Sequence, residues 1–295
     1  MSSPIVSAET LATWLGDRRP NLRICDVRWY LGQPPGSGRA AYAAGHIPRA
    51  IHVDLDTELV APVGPGRHPL PEPAAFAAAM ATRGIGNGDT VVAYDDVGGW
   101  VAARLWWMLE DLGFTTARAA APAGEALVLD GGFPAWLAAG GAVSTDVPNP
   151  ARRALHLAPA WRRVIDRAAL KGRLGGMTIL DARAAERYRG EVEPIDPVAG
   201  HIPTAFSAPT AGNLGPDGRF LPPDALQERF RNLDCAAPGG TVTSCGSGVS
   251  ACHNALAMRI AGLPDPLLYP GSYSDWSTAG EPVAVGADPG SPPAR

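Results

Sequence analysis

Thr241-Val242-Thr243-Ser244-Cys245-Gly246-Ser247-Gly248-Val249-Ser250-Ala251 reads as a strand, a tight loop and the start of a helix. The β-branched run Thr241 to Thr243 favours the strand. Gly246 and Gly248 let the backbone curl where a Cβ would clash. Ser250 is the expected N-cap of a helix over the apolar run Ala251 to Ala261, which Gly262 and Pro264 end. Cys245 then stands at the mouth of a loop whose N–H groups turn inward, facing a helix N-terminus. Such a nest favours negative charge, and a thiol held in it loses its proton more readily. A single cysteine near a turn is more often a packed core residue; the Gly-x-Gly wrap and the helix start favour a nucleophilic thiolate instead. A cysteine phosphatase would carry an arginine after five intervening residues, where this chain has Ala251, and nothing in the loop is basic. Phosphate monoester chemistry therefore lacks its main electrostatic partner. The loop suits a small or neutral group on sulfur, such as a second sulfur atom.

Working outward, the chain repeats itself once. Gly45-His46-Ile47-Pro48 and Gly200-His201-Ile202-Pro203 lie 155 residues apart, and Asp26 and Asp181 share that offset. Gly131 to Trp136 matches Gly271 to Trp276 at an offset of 140, so the first half carries extra loop after Phe114. One repeat of this size marks a duplicated domain rather than a solenoid. Strands are expected at Leu22 to Trp29, Ala50 to Leu55, Asp89 to Tyr94 and Ala126 to Leu129. Helices are expected from a Ser7 cap to Leu15, then at Ala40 to Ala44, Ala74 to Arg83, Trp100 to Leu112 and Ala135 to Ala139. This alternation argues for an α/β fold in which each domain is a mainly parallel sheet flanked by helices. The expected boundaries are domain 1-145, a Pro-rich linker 146-160, domain 161-281 and a flexible Gly/Pro tail 282-295.

The chain of 295 residues, with 46% hydrophobic and 18% charged residues, has the composition of globular domains with real cores. A net charge of −4 gives no reason to expect nucleic acid or a membrane as partner. Lys171 is the only lysine, which leaves a Schiff-base mechanism one weak candidate. The four cysteines Cys25, Cys235, Cys245 and Cys252 contain no C-x-x-C pair, and their scatter argues against a disulfide framework or structural zinc. No signal peptide or membrane-spanning run is visible, and a cytoplasmic setting is expected.

Cys245-Gly246-Ser247-Gly248-Val249-Ser250 is similar to the six-residue loop of the 3-mercaptopyruvate branch of the rhodanese superfamily. Both Gly-His-Ile-Pro signals, Leu105-Trp106-Trp107 and Gly271-Ser272-Tyr273-Ser274-Asp275-Trp276 extend the resemblance over nearly the whole chain. It implies two tandem rhodanese-like domains with the site at their interface. It also implies sulfane-sulfur transfer from 3-mercaptopyruvate or thiosulfate to cyanide, a small thiol or a protein thiol, through a persulfide on Cys245. No metal or cofactor is implied. The alternatives are a non-catalytic persulfide carrier or regulatory module docking a protein, and a cysteine hydrolase or phosphatase.

Aligning Val91-Val92-Ala93-Tyr94-Asp95 with Thr241-Val242-Thr243-Ser244-Cys245 places Asp95 at the cysteine position, so the first domain is expected to be inactive. Residues present in both halves, such as His46 and His201, are expected to brace the scaffold. Trp106, Trp107, Cys252 and His253 are expected to pack. His68, in the long loop Thr57 to Pro73, has no counterpart in the second half. The resemblance implies a relay of Asp56, His68 and Ser247 that passes a proton to the departing enolate, with Asp54 an equally short reach. It maps an anion-binding arginine onto Arg187, with Arg183 and Arg189 as neighbours. Gly246, Gly248, Val249 and Ser250 would line the donor site. The branch usually has a second arginine where this chain has Ile195, which leaves Arg187 to hold the donor's charged end and the preferred donor open.

Overall fold

The computed structural model describes residues 3–117, 121–233, 235 and 240–293. These divide into two compact units. Met1–Ala61, Pro71–Arg162 and Pro216–Arg219 form the first; Pro62–Leu70, Arg163–Gly215 and Phe220–Arg295 form the second. Two consequences differ from a division at the repeat boundary. The expected linker packs into the first unit, where Ala158 N–H donates to Leu112 O and Trp107 stacks on Trp161. The loop carrying His68 lies in the first half of the sequence but belongs to the second unit.

In the first unit β1 (Ile5–Val6), α1 (Ala8–Gly16), β2 (Leu22–Asp26), α2 (Ser37–Ala44), β3 (Ile51–His52), α3 (Leu55–Glu58) and α4 (Pro73–Thr82) come first. They are followed by β4 (Thr90–Tyr94), α5 (Ala102–Asp111), β5 (Glu125–Leu129) and α6 (Gly132–Ala138). All pairings are parallel, in the order β1-β5-β4-β2-β3. Ser7 caps α1 as expected, its Oγ accepting from Thr10 N–H. The expected strand over Ala50 to Leu55 is cut short at His52, because Asp54 Oδ1 accepts from the N–H groups of Asp56 and Thr57 and so starts α3. Leu11, Ile24, Val92, Tyr94, Leu127 and Trp136 are among the buried core. Trp106 and Trp107 are buried on α5; the loop after Phe114 includes positions 118–120, outside the described residues.

In the second unit α7 (Arg167–Lys171), β6 (Thr178–Asp181), α8 (Ala185–Tyr188), β7 (Ala205–Ser207) and α9 (Pro223–Arg231) precede β8 (Thr241–Ser244). Then follow α10 (Ala251–Ile260), β9 (Leu267–Leu268) and α11 (Ser272–Thr278). The sheet runs β7-β6-β8-β9, again parallel, and Val164 bridges Leu268 where the first unit has β1. The two sheets are thus the same design twice. Alternate residues of β6 face opposite cores: Ile179 packs with Tyr188, Tyr273 and Trp276, and Leu180 with Phe230 and Met258.

The Gly-His-Ile-Pro histidines brace both units. His46 Nδ1 meets Tyr42 O and His201 Nδ1 meets Tyr188 O, each at 2.8 Å, and both rings are fully buried. The segment 282–293 is not a loose tail. Ala284 exchanges backbone hydrogen bonds with His201, and Thr204 N–H donates to Pro289 O, so this segment closes over the histidine turn. Among the described residues no helix is long and apolar enough to cross a membrane.

Candidate active site

Parallel strands present their loops at the carboxyl ends of the sheet, and both central strands obey this rule. Asp26 pairs with Tyr94 and Asp181 with Ser244 in register, so Asp95 and Cys245 are the first residues beyond the sheet in their units. Asp95 is fully buried. Its Oδ1 accepts from the N–H groups of Val97 and Gly99, and its Oδ2 from those of Val101 and Ala102, all at 2.7–2.9 Å. The first unit's loop is therefore an anion nest filled by its own carboxylate. Shifted by 150 residues, the same four positions are Ser247, Val249, Ala251 and Cys252, in the loop and helix start that follow Cys245. Gly248 N–H donates to Cys245 Sγ at 3.1 Å. The thiol is only 1% exposed.

The wrap of this loop depends on Gly248, with φ +79; a Cβ there would lie 2.4 Å from Pro270 O. From the other side, Ser272 Oγ accepts from Cys245 N–H, and the N–H groups of Tyr273 and Ser274 donate to Cys245 O and Gly246 O. The start of α11 thus holds the loop's backbone through Cys245 and Gly246, while Gly248 N–H is turned to the sulfur. Ser250 does not act as the expected cap. Its backbone is already helical, at φ −68 and ψ −14, and its side chain makes no capping bond; its carbonyl accepts from His253 N–H. The converging loop satisfies α10 in another way. Val249 is buried, with its carbonyl accepting from Cys252 N–H.

The loop 62–70 packs against the same α11 start. Gly66, at φ +76, approaches Gly271 so closely that a Cβ would lie 2.4 Å from its carbonyl oxygen. The next N–H, of Arg67, donates to Ser274 Oγ at 3.1 Å. This staple sets His68 Nδ1 2.7 Å from Ser247 Oγ, two residues after the cysteine.

Arginines and carboxylates surround the same loop. Arg183 is buried, gripping both oxygens of Asp181 and the carbonyl of Gly200. Arg28 repeats these contacts on Asp26 and Gly45, so Arg183 is scaffold rather than an anion-binding alternative. Arg189 is held by Glu191 at the surface. Arg187 donates through Nε and Nη2 to Glu193, at 3.2 and 2.6 Å, and through Nη2 to Asp196 at 3.1 Å. Burial alone would raise the Glu193 carboxyl; hydrogen bonds from Arg187 and from the Asp196 and Ile195 N–H groups outweigh it and hold it below its ordinary value. Asp196 also binds Arg67 Nη1. A Cβ on Gly246 would lie 2.9 Å from Arg67 Nη2 and 3.7 Å from Arg187 Nη1.

The model of the rhodanese-like domain matches residues 7–139 and 166–279 of the chain. The chain belongs to the rhodanese family. It is a tandem-domain sulfurtransferase of that family. It is 44% identical over 292 residues to the "probable 3-mercaptopyruvate sulfurtransferase" of Pseudomonas aeruginosa, covering 97% of this chain and 99% of that one. A Mycobacterium tuberculosis protein named for thiosulfate sulfurtransferase activity is 39% identical, over 93% of this chain and 94% of its own. The solved 3-mercaptopyruvate sulfurtransferase from Leishmania major superposes with a TM-score of 0.79 at 31% identity, covering 94% of this chain and 75% of that one.

The second rhodanese unit brings together Cys245, Gly246, Ser247, Gly248, His68 and Arg187. Asp56 lies on α3 of the first unit, where both carboxylate oxygens accept from Trp29 Nε1 at 3.0 Å. Asp54 is the cap of α3. Ile195 is 39% exposed and lines, with Arg67 and Asp196, a groove of about 540 Å³. Cys252 and His253 are packed as expected, His253 stacking on Phe220 and meeting Asn213 Nδ2 at 3.1 Å. Sequence reasoning missed Arg67, Glu193 and Asp196. A signal for the two carboxylates exists: Tyr42 precedes His46 by four residues, whereas Tyr188 precedes His201 by thirteen. The longer span in the second half carries Glu193 and Asp196. Among the described residues no group of three or more His, Cys, Asp or Glu stands together as a metal site.

Proposed function

We propose that this sulfurtransferase works by double displacement on Cys245. The thiolate attacks the outer sulfur of the donor. With 3-mercaptopyruvate the C–S bond breaks, its electron pair leaves as the enolate of pyruvate, and one proton added at carbon completes pyruvate. With thiosulfate the S–S bond breaks and sulfite leaves with the pair. Either way Cys245 becomes a persulfide. A thiolate or cyanide acceptor then attacks the outer sulfur, and the Cys245 thiolate returns as leaving group.

The observation that carries this reading is the nest. Four N–H groups converge on a carboxylate in the first unit, and in the second the equivalent loop carries a sulfur at the carboxylate's position, with Gly248 N–H donating to it at 3.1 Å. Fixed N–H dipoles stabilise a thiolate and a persulfide anion alike, and need no reorganisation as charge moves from one sulfur to the next. Ser247, backed by His68 Nδ1 at 2.7 Å, stands where it can hand a proton to the departing enolate. Gly246, Gly248, Val249 and Ser250 supply the backbone of the donor pocket, and Arg187 draws in the donor's negative end. Relatives named for different donors support both as substrates. The acceptor class is a small thiol, cyanide or an accessible protein thiol. We assign the reaction to a reducing, cytoplasmic setting, in which the Cys245 thiolate stays available for sulfur transfer.

Peptide mass spectrometry after treatment with either donor tests the mechanism. One added sulfur is expected on Cys245 and on no other cysteine. Burial pushes the Cys25 thiol up, which keeps it protonated and inert. Persulfide carried mainly by Cys25, Cys235 or Cys252 would overturn the proposal. Multiple turnovers with a small thiol acceptor separate an enzyme from a carrier that only holds the persulfide.

A further inference from the structure

We infer that Arg67 is the open guanidinium fork that takes the carboxylate of a 2-oxo-acid donor, replacing the arginine absent at Ile195. The inference rests on the sulfur-transfer reading of the same site. Arg187 is the residue that the resemblance implies for this task, but its Nε and Nη2 are already engaged. They form a two-point grip on Glu193, and Nη2 also reaches Asp196. Only Nη1 of Arg187 is left to meet a ligand. Arg67 has the reverse arrangement. Its Nη1 is anchored on Asp196, while Nε is buried without a hydrogen-bond partner among the described residues. No described residue engages its Nη2, which lies over Gly246 of the sulfur loop.

Nε and Nη2 form one edge of the guanidinium plane, and two parallel N–H bonds from such an edge match a carboxylate. A buried N–H with no partner is costly, so a site that keeps one is arranged for an acceptor that arrives later. The backbone supports the same assignment. Gly66 is drawn against Gly271 and Arg67 N–H is tied to Ser274 Oγ, so the arginine is delivered by the segment that carries His68. Asp196 orients both guanidiniums, with Oδ1 on Arg67 and Oδ2 on Arg187. It is a positioning residue. Its partners are counted evenly: Arg67, Arg183 and Arg187 face Asp181, Glu193 and Asp196, so the cluster is close to neutral before an anion binds. Ile195 takes no part, because the second positive charge comes from the His68 loop instead.

Binding of pyruvate, the product of the 2-oxo-acid donor, tests the fork without requiring sulfur transfer. It is measured by calorimetry on full-length Cys245→Ser protein, which cannot form the persulfide. Removing a charge-assisted bidentate contact by Arg67→Gln should weaken pyruvate binding about tenfold to a hundredfold. Arg67→Lys should recover part of it, since the charge remains but the fork does not. Gly246→Ala, which puts a methyl group 2.9 Å from Arg67 Nη2, should weaken it as well while leaving the melting temperature near that of the parent. In the protein with Cys245 restored, Arg67→Gln should raise KM for 3-mercaptopyruvate more than it lowers kcat. Pyruvate binding that is unchanged in Arg67→Gln but lost in Arg187→Gln would overturn the inference. So would a parent protein that binds no pyruvate. Failure of the sulfur-transfer reading shows itself separately, as the absence of persulfide on Cys245 in otherwise unaltered protein.

Discussion

His68 and Ser247 are expected to act as one unit, and a double-mutant cycle measures that. The perturbations are His68→Ala, Ser247→Ala and the pair together. The bond between His68 Nδ1 and Ser247 Oγ is 2.7 Å long, and Ser247 is 8% exposed, so the hydroxyl has little water to take over when the ring is removed. A positioned general acid contributes about a hundredfold or more, or about 2.7 kcal/mol of barrier. Each single variant should therefore slow persulfide formation from 3-mercaptopyruvate by about a hundredfold. Independent residues would give a double variant slowed by about ten-thousandfold, whereas a proton passed through both gives a double variant close to either single one. Single-turnover rates followed by rapid quench and intact mass isolate this step from the acceptor half-reaction. Thiosulfate is the internal control. Sulfite leaves without needing the proton, so its rate should fall much less. Equal losses with both donors, or multiplicative losses with 3-mercaptopyruvate, would refute the relay.

Two further outcomes follow from the paired loops. Gly248→Ala forces a Cβ to 2.4 Å from Pro270 O at φ +79; it should cost about 1–2 kcal/mol in conformation alone and open the nest. Persulfide formation on Cys245 should fall at least tenfold, and a rate within twofold of the parent would show that the wrap does not set the sulfur's surroundings. Asp95→Asn replaces one acceptor oxygen by a donor and leaves two buried N–H groups facing it. At about 1–3 kcal/mol each, urea unfolding should report a loss of about 2–6 kcal/mol. A loss below about 1 kcal/mol would mean that these N–H groups find other partners.

The architecture was legible in the residues because its causes are local or periodic. β-Branched runs, glycine stops and the repeated Gly-His-Ile-Pro signals mark parallel strands and duplicated turns wherever they occur. Asp95 could be matched to the position of Cys245 in the repeat by counting alone, since the two strands lead into equivalent loops. Cys245 itself was readable from the glycines that wrap it. The Ser250 cap was misjudged because a closing loop can satisfy a helix start without a side chain, which local preference does not register. Asp56 and His68 lie twelve positions apart, yet tertiary packing assigns them to different units. The anion-binding arginines were the least legible. Which guanidinium is open depends on which carboxylates lie beside it, and Arg67 and Asp196 are 129 residues apart in the chain. Arg187 is the arginine that the resemblance implies but is gripped by Glu193; Arg67 carries no such signal and keeps its fork. That difference is one of pairing in space, and only the folded second unit decides it.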